Sequence, residues 1–279
     1  MEASRVRTLR IIEPARGFSL PSVSEIWEHR DLLYFLVRRD VAVRYKQSAI
    51  GVAWVVLQPV LLAVVFSVFF GLLAKVPSQS HIPYPLFAVS GMVLWLFFAA
   101  ALTNASTSTV QSSELISKVY FPRVLIPLAA VLAPLVDLAI ALLVVLSAML
   151  IYGVTPNVQV VLLPLIVTMA VTTAFGLGLW LSAVNVKYRD VHLTVPFLIL
   201  LGLFITPITY PFHLVPRVYQ VLYSINPMVG VLETYRWMLF PHALFPTTAF
   251  LMSLGMCATL MTGGALYFKR AECDFADVI

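Results

Sequence analysis

The chain alternates long apolar runs with short polar punctuation. No charged residue falls between Lys46 and Lys75, Lys75 and Glu114, Asp137 and Lys187, Asp190 and Arg217, or Arg236 and Lys269. A bilayer core of ~30 Å takes ~20 apolar helical residues per crossing. Backbone polar groups inside it must be satisfied within the segment, so runs of this length predict helices. Hydropathy and Gly/Pro punctuation predict six spans, roughly 50–74, 85–110, 124–152, 159–184, 193–212 and 247–268. The expected fold class is all-α: a polytopic membrane protein with six transmembrane helices, an N-terminal amphipathic interface helix and re-entrant outer helices.

Two regions depart from a plain six-helix plan. Residues 213–246 are too long for a turn and too apolar for a solvated loop, and they hold Pro216, Pro227, Pro241 and Pro246. Proline breaks helices, and broken helices persist at membrane depth only where protein or a wet cavity covers them. A pair of short re-entrant helices joined near Ser224–Pro227 is expected, with a long interfacial loop as the alternative. At the other end, residues 1–30 read as a cytoplasmic tail, irregular over 1–24, and no apolar run follows Arg5, Arg7 and Arg10 closely enough for a secretory signal. Residues 31–47 carry no Gly or Pro and predict a helix with Asp31, Arg38, Arg39 and Lys46 in one narrow arc. Asp40 and Arg44 fall on a different face as an acid-before-base i,i+4 pair. Such a helix would lie in the cytoplasmic interface with its basic face toward headgroups; a simple positive-inside anchor reads equally well. The remaining divisions are a membrane domain over 48–268 and a cytoplasmic tail over 269–279.

Composition changes the picture only by exclusion. Mean hydropathy is +0.94 and charged residues make up 11%, against about 25% in soluble domains. A pI near 9.3 would suggest nucleic acid in a soluble protein, but here the cations flank apolar spans, where anionic lipids attract them. Fifteen of the eighteen Lys and Arg fall on one face of the six-span threading, against Lys75, Arg217 and Arg236 on the other. The positive-inside bias puts both termini in the cytoplasm.

Candidate chemistry is sparse. No G-x-x-x-x-G-K-[ST] phosphate loop occurs, the five His are scattered, and Cys257 and Cys273 give neither a disulfide framework nor metal spacing. Asp137 falls near the middle of the third span, where a carboxylate costs ~2.5–3.5 kcal/mol on insertion scales. With no intramembrane Glu, His or Lys beside it, a structural hydrogen-bonding role is preferred to ion coupling. The second span ends in a polar stripe, Thr103, Asn104, Ser106, Thr107, Ser108 and Thr109, fit to line a passage or to bond across helices. Ala174, Gly178 and Ser182 give small-xxx-small spacing, within or between subunits. Aromatics such as Tyr34, Trp54, Tyr84, Tyr235 and Trp237 read as interface belts, of which a minority could stack on sugar rings.

The run from Arg39 through Arg44-Tyr45-Lys46-Gln47 to Trp54, followed by Gln58-Pro59, resembles the start of ABC-2-type permeases that export lipid-linked polysaccharides. Ser117-Lys118-Val119-Tyr120-Phe121-Pro122-Arg123, Asn185-Val186-Lys187-Tyr188-Arg189-Asp190-Val191, Pro207-Ile208-Thr209-Tyr210-Pro211, Asn226-Pro227 and Phe275-Ala276-Asp277-Val278-Ile279 continue the likeness in order. The resemblance implies a homodimer in the bacterial inner membrane bound to two ATP-binding-cassette subunits, which hold the ATP and Mg, so that this chain needs no cofactor and is not itself an enzyme. It implies a gate helix at 31–47 whose Arg38, Arg39, Arg44, Tyr45 and Lys46 meet a lipid pyrophosphate. It further implies an ATPase-coupling element at Glu114, Lys118, Tyr120, Phe121 and Pro122 with Arg189 and Asp190, and an outer gate at Tyr210, Pro211, Tyr219, Asn226 and Pro227. The implied substrate is a polyprenyl-pyrophosphate-linked glycan such as O-antigen, capsule or teichoic acid, with membrane lipids as further partners and no nucleic acid.

Two rival classes share parts of this pattern. A drug or small-lipid efflux permease of the same type would keep the span plan. A secondary carrier would need intramembrane coupling residues and repeated halves, and neither is evident.

Overall fold

A computed structural model describes residues 23–46, 51–76, 82–241 and 243–275. Residues 1–22, 47–50, 77–81, 242 and 276–279 lie outside these, and with them the first 22 residues of the expected tail and the final four of the C-terminal motif. The described chain is helical, with no β-strand among the described residues. A short helix α1 (Val23–Glu28), inside the stretch expected to be tail, turns at His29 into α2 (Arg30–Lys46). The others are α3 (Val52–Phe66), α4 (Tyr84–Gln111), α5 (Ser113–Lys118), α6 (Leu125–Leu132), α7 (Leu135–Ile151), α8 (Leu163–Lys187), α9 (Val191–Ile205), α10 (Arg217–Tyr223), α11 (Pro227–Leu239) and α12 (Thr247–Ala271).

Five helical stretches among the described residues are long and apolar enough to cross a membrane: Val52–Leu73, Tyr84–Gln111, Leu125–Ile151, Val158–Lys187 and Thr247–Ala271. They match the first four and the last of the expected spans to within a few residues. The first stays helical past Phe66 by widening into a π-helical stretch, Ser67–Leu73. The third is not one helix, because Pro134 lacks an amide donor and the chain breaks between Leu132 and Leu135.

The fifth expected span is shorter than expected. In place of a helix over 193–212, α9 has 15 residues, about 22 Å at 1.5 Å per residue. Thr206 closes it in extended backbone (φ −85, ψ 141), as the residue before a proline prefers, and the following proline is Pro207. The pair of short helices expected within 213–246 is present as α10 and α11, joined through Ser224–Asn226.

The spine is α4 packed on α8. Gly178 faces α4 so closely that a Cβ there would lie 2.6 Å from that of Ala105. Ser182 bonds Thr109 at 2.5 Å, and Asn185 Nδ2 donates to the Ser106 carbonyl at 3.0 Å. The small-residue stripe therefore serves helix approach within one chain. On the far side of α8, a Cβ at Gly264 would meet the Gly176 carbonyl oxygen at 2.3 Å, so α12 seats backbone to backbone. The helices α3, α6, α7 and α9 also pack on α4, while α3, its π-helical continuation and α9 leave Val64, Phe69, Leu193 and Phe197 exposed. In a chain with several apolar crossings such faces meet lipid or another protein, and the molecule is a multi-pass membrane protein.

Candidate functional site

Leu36 fastens α2 to the bundle. It is 1% exposed and packs with Phe121, Leu125, Ile126 and Ala129, so α2 runs along α6 and carries its last turn to the start of α7. There Arg44 Nη1 donates to Asp137 Oδ2, and the Tyr45 hydroxyl donates to Asp137 Oδ1. The expected Asp40–Arg44 pair is not formed. Asp40 instead takes Arg39, Nη2 to Oδ1 2.9 Å, because Arg44 is turned toward the bundle.

Asp137 is thus not alone at mid-span. The Pro134 break gives α7 a new N-terminus, and Asp137 stands in its first turn, where the helix dipole favours an anion. Burial, and next the bond to Asp137, push the Tyr45 phenol up to about 12, so at neutral pH Tyr45 remains a donor.

Beside this triad is an open cavity of about 430 Å³ lined by α2, α3, α4 and α7. One wall is ionic, formed by Arg44, Tyr45 and Asp137; another carries Trp54, Gln58, Thr103 and Asn104. Arg38, Arg39 and Lys46 are exposed on the outer side of α2 and do not line it. The polar stripe on α4 divides between two tasks. Thr103 and Asn104 face the cavity, whereas Ser106, Ser108 and Thr109 are buried, with Ser106 and Thr109 in the seam with α8.

The seam sets the ends of α4 and α8 side by side, and both loops beyond them are exposed. On α5, Glu114 and Lys118 form an exposed pair at 3.3 Å. Tyr120 is 82% exposed, but Phe121 is 6% exposed and held against Leu36. Of the expected contact set, Phe121 is the member turned inward, where it anchors α2. Pro122 is half-buried beside it, and Arg189 and Asp190 are exposed. Arg123 donates to the Glu272 carbonyl and lies over the Phe275 ring, 6.0 Å from its centroid, tying the chain end to this face.

At the opposite end, the Tyr210 hydroxyl bonds that of Tyr223 and donates to the Phe204 carbonyl at 2.9 Å. Asn226 caps α11 by accepting from the Met228 amide at 3.0 Å, and its Nδ2 donates to Thr206 Oγ1 at 3.0 Å. Pro227 opens α11 and Pro211 is buried, whereas Tyr219 on α10 is exposed. Sequence reasoning missed Arg236, counted only as an outer-side charge. It is wholly buried with Glu233 at 3.1 Å and donates to the carbonyls of Pro207 at 2.5 Å and Ile208 at 2.6 Å. Its i,i+3 acid within an apolar segment was the available signal. Tyr235, expected in a belt, is also fully buried. Among the described residues no cluster of His, Cys, Asp and Glu could hold a metal ion.

Residues 31–240 match the family described as "ABC-2 type transporter". The chain is 29% identical over 261 residues to the O-antigen export system permease protein RfbA of Myxococcus xanthus, covering 92% of this chain and 98% of that protein. It is 29% identical over 251 residues to the Klebsiella pneumoniae protein of the same description, covering 89% and 95%. With the polysialic acid transport protein KpsM of Escherichia coli it shares 23% over 246 residues, 85% of this chain and 92% of that one.

Proposed function

From the premise that this chain belongs to the ABC-2 type transporter family, we propose that it is the permease subunit of a bacterial inner-membrane exporter of polyprenyl-pyrophosphate-linked polysaccharide. It works as a homodimer with two separate ATP-binding-cassette subunits, which bind the ATP and Mg. Both termini are cytoplasmic, on the face where Lys and Arg accumulate. The O-antigen and polysialic acid relatives support the substrate class.

The observation that carries the reading is the meeting of Arg44, Tyr45 and Asp137 at the wall of one cavity. Arg44 presents a planar fork suited to phosphate oxygens, and Tyr45 adds a neutral donor. A diphosphate entering beside α2 exchanges one anionic partner for another, so Arg44 is never left uncompensated. Arg38, Arg39 and Lys46 hold α2 at headgroup level. Glu114, Lys118 and Tyr120, with Arg189 and Asp190, receive the ATPase. Tyr210, Pro211, Tyr219, Asn226 and Pro227 belong to the outer gate, which α10 and α11 form by re-entering the membrane.

Arg44→Lys preserves charge and orientation but loses the fork. Surface polysaccharide, measured at matched membrane levels of the variants, should fall several-fold with Arg44→Lys and nearly vanish with Arg44→Glu. Unchanged export by Arg44→Lys would remove the phosphate contact. A hydrolysis-dead ATPase partner should stop export, and continued export would point to a secondary carrier. A drug or small-lipid efflux permease would leave surface polysaccharide unaffected in every variant.

A further inference from the structure

A second part of the cavity lining has a chemistry that a diphosphate does not use. Gln58 on α3 and Asn104 on α4 are half-buried and face the same space. Neither carboxamide has a hydrogen-bond partner among the described residues, although the neighbouring Thr103 hydroxyl is satisfied by the Ala99 carbonyl at 2.8 Å. Each amide lies about two turns in from the end of its helix. At that depth uncommitted polar groups are costly unless something bonds them. Trp54 precedes Gln58 by four residues, so both project from one face of α3. An indole face and two amides, with Arg44 and Tyr45 on the same cavity, make a site polar along one edge and flat and apolar along another.

We infer that Trp54, Gln58 and Asn104 form a sugar subsite, which takes the first hexose of the lipid-linked glycan and discriminates among glycans. This rests on the proposed export of such a lipid. A carboxamide both donates and accepts, as a sugar hydroxyl does. An isoprenoid tail would leave both amides unsatisfied, and a phosphate would accept from them but offer their carbonyl oxygens nothing. The indole gives the C–H face of a pyranose ring a flat apolar contact. Because the first sugar is joined directly to the pyrophosphate, a headgroup on Arg44 and Tyr45 brings that ring into the same cavity.

The test uses the complete permease–ATPase complex in lipid nanodiscs. ATP hydrolysis is titrated with polyprenyl pyrophosphate and with the same lipid bearing one glucose. For the native complex, half-maximal stimulation should need about tenfold less of the glucose-bearing lipid, the gain expected of one or two net hydrogen bonds plus ring contact. Gln58→Leu with Asn104→Leu should bring that ratio close to one, whereas Arg44→Gln should raise both half-maxima and leave the ratio. A permethylated glucose on the native complex, which needs no variant to fold, should behave like the sugarless lipid. Equal half-maxima in the native complex, a tenfold ratio that survives in the double variant, or full potency of the permethylated sugar would overturn the subsite. If neither lipid stimulates the native complex, the export reading fails and the subsite with it.

Discussion

Arg236 holds together backbone that has no secondary structure of its own. Beyond the end of α9, Pro207 and Ile208 point their carbonyls at its guanidinium, Glu233 neutralises it, and the Phe87 ring lies 3.7 Å from Cζ. Gly91 leaves the space, since a Cβ there would come within 2.8 Å of Nη2. Removing one member of a buried ion pair typically costs about 3–5 kcal/mol, because the partner stays charged and uncompensated. Arg236→Leu should therefore lower the thermal midpoint in detergent sharply, and Arg236→Lys should recover only part of the loss, since an ammonium cannot serve both carbonyls in one plane. Equal midpoints for native protein and Arg236→Leu would show that the carbonyls find other donors. Sequence could display Glu233 three residues before Arg236, but not the carbonyls they serve, which are brought there by tertiary packing.

Among the elements, legibility followed length. Long uncharged runs such as 84–111 were readable to within a residue or two, because every turn repeats the same hydropathic statement. The ends of α9 and α6 were not, because a single proline outweighs an apolar window. Function at this scale is clearest in the loop after α4, where neighbouring aromatics part company. Tyr120→Ala should uncouple ATP hydrolysis from export several-fold while leaving membrane level and melting unchanged. Phe121→Ala should cost about 3–5 kcal/mol, as large buried truncations do, and release α2, which is measurable as faster proteolysis between α2 and α3. Loss of stability from Tyr120→Ala would show that its exposed ring is covered in the assembled protein.

At the scale of the molecule the two ends are built differently. One carries basic, exposed loops around a cavity, and the other folds α11 inward among α4, α8 and α12 while α10 stays open. In a variant lacking Cys257 and Cys273, a cysteine at Tyr219 should react with a membrane-impermeant maleimide added outside, and one at Val231 should react at least tenfold more slowly. Comparable rates at both positions would mean that α11 is not seated in the bundle during operation. The cavity end contains a second consequence of the Pro134 break. Leu36 fixes α2 to α6 below the break, and Arg44 and Tyr45 fix it to α7 above. Thus α2 splints a fracture in the third span: the angle between α6 and α7 cannot change while both attachments hold. An anion that drew Arg44 away from Asp137 would loosen the upper attachment and leave α2 held to α6 alone.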